Sequence, residues 1–215
     1  MALSKVDFKR DAPRCYAPPR HPVLIEVPRF QFLALDGCGE PVETPDFEAA
    51  AALLYTASYL LKFGLKRTLG LDWVVGPLEA LWSRAGEAPL TAGLPLDRSW
   101  TLLIRQPDEV TVVDLERVRA RVPGTFASEL VGRLRLEART EGLCVQVMHV
   151  GSCATAQSSV EALGAFIASR GLAAHGRRHE VYLSDPERTA PDRVRTVLRQ
   201  PVRLAERRDN ERSAE

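Results

Sequence analysis

One order of elements, strand, helix, strand, strand, runs twice through these 215 residues. In the first pass, Val23 to Leu35 (VLIEVPRFQFLAL) has the β-branched and aromatic content of a strand, with Pro28 at an edge or bulge position. DGCGEP then marks a turn. Asp46 is placed to N-cap an Ala- and Leu-rich helix that runs to about Lys66, with Ala50, Leu54, Ala57, Leu61 and Leu65 on its apolar face. Two strands are expected next, Trp73 to Trp82 and Trp100 to Gln106, separated by a loop containing Gly86, Pro89, Gly93 and Pro95.

The second pass opens at Leu134. Alternation in Leu134 to Ala138 and again in Leu143 to Val150, with Glu-Gly between them, predicts a hairpin. Ser158 to Arg170 is amphipathic and is bounded by serine at its start and by Gly171 at its end, the pattern of a capped helix. Strands are expected at Glu180 to Leu183 and near Val194 to Val202. Between the passes, Val113 to Arg121 reads as a short charged helix ended by Pro123 and Gly124.

The expected fold is therefore α/β (α+β): two pseudo-symmetric strand-helix-strand-strand modules, about 23–107 and 133–202, with a ligand cleft between them. Residues 108–132 form a helical connector, 1–22 an N-terminal segment and 203–215 a polar tail.

Charge narrows the functions. With 29 Lys+Arg against 28 Asp+Glu, no overall field draws in a phosphate backbone, and the basic residues gather nowhere except Arg207 and Arg208 in the tail. Direct nucleic-acid binding is not expected, nor is a membrane partner, because no stretch reaches the ~20 apolar residues a bilayer requires. The charged N-terminus lacks the apolar run of a signal peptide. Cys15, Cys38, Cys144 and Cys153 form no CxxC pair, so free thiols, a cytoplasmic setting and no metal or other cofactor are expected. GxSxG, Walker, dinucleotide and HExxH motifs are absent from the sequence.

The residues left to carry chemistry fall in two places. In HEVYLSDP (179–186), strand parity puts Glu180 and Tyr182 on one face, with Val181 and Leu183 on the other, toward helix packing. The alternative is an exposed glutamate paired with Arg177 or Arg178. On the first helix, Tyr55, Tyr59, Lys62 and Lys66 follow i, i+4, i+7 and i+11 on one stripe, either lining a pocket or forming the edge of the core. Trp73, Trp82 and Trp100 lie in or beside the central strands, where Trp82 and Trp100 are candidates to stack on a flat ligand. His149, at a strand end before Gly151, is a candidate base or ligand contact, or a structural histidine.

Read together, VLIEVPRFQFLALDGCGEP, LLYTASYLLKFGLK, PLEALW, WTLLIRQP, EGLCVQVMHVGS and HEVYLSDPERTAPDRVRTVLRQPV resemble the GyrI-like small-molecule-binding family over roughly Val23 to Val202. The resemblance implies two strand-helix-strand-strand modules around a ligand cleft, and it puts Glu180 at the family's central pocket glutamate. Family members include ligand sensors fused to DNA-binding domains, an inhibitor of DNA gyrase, and stand-alone hydrolases of cyclopropane-bearing alkylating agents. With no helix-turn-helix in this sequence, a stand-alone enzyme or binder is expected. Where the family often has HxGPYxxE, this chain has HVGSCATAQ, with Cys153 at the tyrosine position and Gln157 near the glutamate. The expected activity is hydrolysis of a flat, apolar, aromatic electrophile: Glu180 acts on water, Tyr55, Tyr59 or Tyr182 donates to the ligand oxygen, and Trp82 and Trp100 stack. A non-catalytic drug-binding protein and a gyrase-inhibitor-like interaction protein are the rival expectations.

Overall fold

Two 16-residue strands, β1 (Val23–Cys38) and β4 (Arg135–Val150), pair antiparallel from Val23↔Gln146 to Ala34↔Arg135 and form the spine of the molecule. The computed structural model describes residues 5–39, 45–83 and 99–205. In the first module α3 (Pro45–Leu69) leads from β1 to β2 (Leu78–Trp82) and β3 (Ser99–Gln106). In the second, α6 (Gln157–Ser169) follows β4 and precedes β5 (Leu172–Ala174), β6 (Arg178–Tyr182) and β7 (Arg195–Leu204). The short helices α1 (Phe8–Asp11) and α2 (Pro13–Tyr16) precede β1, and α4 (Val112–Arg119) and α5 (Ser128–Arg133) join the modules.

The strand order β4-β1-β3-β2-β6-β7 returns on itself because β7 also pairs with β4. The result is a six-stranded antiparallel barrel, with β5 added beside the end of β7. The expected repeat is present, and its two halves share one closed sheet. Closure removes the open edges that half-sheets would leave unpaired.

Because side chains alternate between faces, the register can be read as rungs around the barrel. One rung runs Leu35, Leu102, Ala80, Glu180, Leu198, Val147. Its first three residues pack under α3, in a core with Leu53, Leu54, Ala57 and Leu61. Leu198 and Val147 pack under α6 with Leu163 and Ile167. The neighbouring rung, on the opposite face, runs Asp36, Thr101, Leu81, His179, Arg199, Gln146.

That second rung belongs to a buried charge cluster. His179 Nδ1 is 3.0 Å from both oxygens of Glu141, and its Nε2 is 2.9 Å from Glu79 Oε2, at ion-pair distance but outside hydrogen-bond geometry. Arg199 Nη1 donates to Glu141 (2.8 Å), its Nη2 to the Cys15 carbonyl (2.7 Å) and its Nε to Gln146 (3.2 Å). Tyr16 donates to Glu79 at 3.1 Å, and Gln146 donates to the Arg14 carbonyl at 2.6 Å. The N-terminal segment is thus part of the core: Phe8, Cys15 and Tyr16 are buried with Val181 and Val197.

Several expectations are corrected. The hairpin over 134–150 is one continuous strand, β4. Gly142 keeps it extended along β1 by adopting φ 67°, open to glycine but strained for other residues. That residue also resets the alternation, so Glu141 enters the charge cluster while Val145 and Val147, of the same parity, meet α6. The strand expected at Trp73 to Trp82 begins at Leu78; Trp73 makes only a single bridge, to Val6. Of the turn expected at DGCGEP, Asp36, Gly37 and Cys38 instead extend β1, and Glu40 and Pro41 lie outside the described residues. The start of α6 has no side-chain cap, whereas Gly171 closes its end at φ 63°. Helix packing falls on the Glu180 face of β6, while Val181 shares its face with Glu79 and Val197. Gly86, Pro89, Gly93, Pro95, Arg207 and Arg208 lie outside the described residues.

The cluster ties stability to pH. Burial opposes the charge on both partners. Even so, His179 and Arg199 hold the Glu141 carboxyl far below its usual range, and Glu141 and Glu79 raise the His179 imidazole above its own. A raised histidine stabilises the fold fully below its unfolded value of about 6.5, and that contribution disappears as pH climbs through the folded value. Urea midpoints should therefore fall as pH rises from about 6 to about 9, and His179→Gln should flatten that slope. An equal slope in the variant would contradict this assignment.

Candidate functional site

Glu180 is the one charged residue in the rung Leu35, Leu102, Ala80, Glu180, Leu198, Val147. Its neighbour on β2, Ala80, belongs to the core under α3, and its neighbour on β7, Leu198, to the core under α6. The carboxylate therefore stands at the seam between the two modules, only 16% exposed.

Both carboxylate oxygens are held. Arg178 Nη2 lies 3.0 Å from Oε1, and Tyr182 donates to Oε2 at 3.2 Å. Trp82 Nε1 donates in turn to the Tyr182 oxygen at 3.3 Å. Burial, followed by the Glu180 charge, raises the Tyr182 phenol well above its ordinary range, so it stays protonated as the donor. The Arg178 side chain is 37% exposed, and a pair screened to that degree adds at most about 1 kcal/mol. The pair is thus a charged spot of small stabilising value set among apolar neighbours.

Beside this pair a cleft of about 360 Å³ opens between α6 and the sheet. Its walls are Trp82, Leu163, Gly164, Ile167, Ala168 and Leu172, with Arg178, Gln200 and Ser83 among the polar lining. On the α3 side, the Tyr55 oxygen accepts from the Leu78 backbone N–H at 3.0 Å, and Leu78 is the cross-strand partner of Tyr182. Burial raises the Tyr55 phenol, and accepting from Leu78 leaves its proton available to donate. Phe47 stacks on Trp82 at 6.2 Å and 11°.

The structure brings Glu180, Tyr182 and Trp82 into direct contact and puts Tyr55 at the adjoining strand end. It does not bring in the others. Trp100 is 1% exposed, packed edge-on against Phe47 and so close to Gly37 that a Cβ there would overlap its ring; it fills core and offers no stacking face. Tyr59 is 46% exposed and stacks on Phe63. Lys62 and Lys66, from the same stripe, both pair with Asp72. The His149 ring is held by Ser159, Thr155 and the Ser152 carbonyl, which makes it a structural residue at the start of α6. Cys153 is an exposed free thiol, and Gln157 donates to Glu161. Two contributors were not singled out from sequence: Phe47, and Arg178, which entered only as a possible surface partner. The signal for Arg178 was its i, i+2 spacing from Glu180 on one strand face. Among the described residues, no three His, Cys, Asp or Glu side chains are placed to hold a metal ion, and no helix is long and apolar enough to cross a membrane.

Comparison with solved structures adds relatives to this geometry. The chain is 34% identical to an uncharacterized conserved protein from Listeria innocua, over 93% of this chain and 100% of that one, with a TM-score of 0.80. It is equally similar, at 34% identity and TM-score 0.79 over the same shares, to a hydrolase encoded by lin2189 from Listeria innocua. The chain belongs to the family of these Listeria proteins. The C-terminal domain of EcmrR shares the fold, at 13% identity and TM-score 0.53 over 86% of this chain and 98% of that domain. No family model matches the chain, and no curated protein matches it.

Tyr55, on α3, is the acceptor for the N–H at the start of β2. Tyr55→Phe should lower stability by about 1–3 kcal/mol in denaturant titrations, because the Leu78 N–H loses its partner. Unchanged stability would show that Leu78 finds another acceptor.

Proposed function

We propose that this protein is a hydrolase that opens the strained ring of a flat, apolar electrophile, such as a cyclopropane-bearing alkylating agent, and so detoxifies it. The observation that carries this reading is the single carboxylate, Glu180, held by Arg178 and Tyr182 in an otherwise apolar rung beside a cleft. The hydrolase among its Listeria relatives supports the reaction class, and the GyrI-like sequence resemblance supports the substrate.

Glu180 orients a water molecule and takes its proton as the oxygen attacks the ring CH₂. The C–C bond opposite breaks, and its electron pair moves through the conjugated system onto the carbonyl oxygen. That oxygen then receives the proton from Glu180, so the sum is substrate plus water. Tyr182 holds the carboxylate in place, and Tyr55 is the phenol that donates a hydrogen bond to the oxygen, keeping its own proton, as charge develops. Trp82, backed by Phe47, supplies the flat wall.

The stacked Phe47 and Trp82 rings beside a carboxylate also favour a second reading, a protein that sequesters a flat cation without altering it. Incubation with a cyclopropane-bearing alkylator, followed by mass analysis, separates the two. The hydrolase yields a product heavier by one water at catalytic turnover, and Glu180→Gln lowers the rate about 100- to 10,000-fold. Tight binding with no water adduct would establish the sequestering reading, and full turnover by Glu180→Gln would reject the mechanism.

A further inference from the structure

We infer that Arg178 is a catalytic residue in its own right, the cationic donor to the oxygen of a planar ligand that lies in the slot beneath α6. The inference rests on the hydrolase reading and extends it to the residue that receives the developing charge.

The polar lining of the cleft singles out Arg178. The Gln200 amide nitrogen is turned to the carbonyls of His175, Gly176 and Pro201. The Ser83 hydroxyl is paired with Ser99 at 2.6 Å. Arg178 spends Nη2 on Glu180, yet its Nε is buried with no partner among the described residues. That Nε is closed off from the cleft, but the side chain as a whole is 37% exposed and lines the cleft, so the guanidinium has further N–H groups to offer a ligand oxygen. Arg178 is also the cross-strand partner of Trp82 and stands two residues from Glu180 on the same face, so cation and indole both line the cleft and the carboxylate lies 3.0 Å behind the cation.

The slot has a shape as well as a charge. Opposite Trp82, α6 presents Gly164 and Ala168. Glycine inside a helix is less favourable than alanine. A Cβ on Gly164 would meet nothing within 4 Å, so neither core packing nor a close approach requires glycine there. What the missing side chain preserves is the width between α6 and Trp82. Leu163, Ile167 and Leu172 make the remaining wall apolar. The ligand this describes is a fused planar ring system with an electron-accepting carbonyl or phenolic oxygen at the end that meets Arg178. Opening of the strained ring moves negative charge onto that oxygen, where a fixed cation stabilises the transition state more than the ground state.

A coumarin phenol, 4-methylumbelliferone, serves as the probe, because its absorbance and fluorescence report the ionisation of its own oxygen. To remove the direct effect of the Glu180 charge, the bound dye is titrated in Glu180→Gln and in the double variant Glu180→Gln/Arg178→Gln. The dye should titrate about 1–3 pH units lower when Arg178 is present. Gly164→Leu should fold at least as stably as the parent while binding the dye at least about 10-fold more weakly. Equal titration with and without Arg178, full dye binding by Gly164→Leu, or no dye binding by the wild-type protein would each overturn the inference. Turnover of the cyclopropane probe is scored separately. An Arg178-dependent titration without turnover would reject the hydrolase reading alone, and turnover with an Arg178-independent titration would reject this inference alone.

Discussion

The pairing of β4 with β7, from Cys144↔Pro201 to Val150↔Arg195, closes the sheet, and the positions of the other elements follow from it. In an open sheet, β7 would present unpaired N–H and C=O groups along its β4 side. Once the ring is closed, the face taken by each residue is set by its neighbours on both sides. Ala80 must lie under α3 and Leu198 under α6, so the residue between them, Glu180, is held at the boundary of the two hydrophobic cores. A one-residue slip of β6 would turn Glu180 toward the charge cluster and bring His179 or Val181 to the cleft.

The same strand serves two environments through its alternation. His179 is tied to Glu141 and Glu79 on one face, and Glu180 is held by Arg178 and Tyr182 on the other. Removing one partner from a buried charge cluster costs about 3–5 kcal/mol, whereas the part-exposed pair at Glu180 contributes about 1 kcal/mol or less. The His179 face therefore fixes the register of β6, and the Glu180 face uses that register to present a carboxylate. The N-terminal segment takes part in this: the Cys15 carbonyl, the Arg14 carbonyl and the Tyr16 hydroxyl complete the buried charge cluster.

Local pattern was enough to recognise the repeated order of elements, the two long helices and the shared face of Glu180 and Tyr182. Pattern failed where the answer lay in pairing. Glu141-Gly142 looks like a turn because the alternation breaks there, yet β1 supplies partners on both sides and the glycine absorbs the change of face in a continuous strand. Trp100 and Trp82 are both strand tryptophans, but Trp100 sits over Gly37, whose missing side chain accommodates the ring, while Trp82 is opposite Arg178 at the cleft. Tyr59 shares a helical stripe with Tyr55 and turns outward onto Phe63. Arg178 is indistinguishable in sequence from a solvated arginine until the register sets it beside both Glu180 and the cleft.

The central claim is that the Glu180 carboxylate works on a ligand at the seam between the modules. A crystal structure of the wild-type protein soaked with a cyclopropane-bearing alkylator would test this most directly. The account predicts a ring-opened product in the cleft between Trp82 and α6, with its new hydroxyl within hydrogen-bond distance of Glu180. An intact cyclopropane, or a product seated away from Glu180, would contradict it.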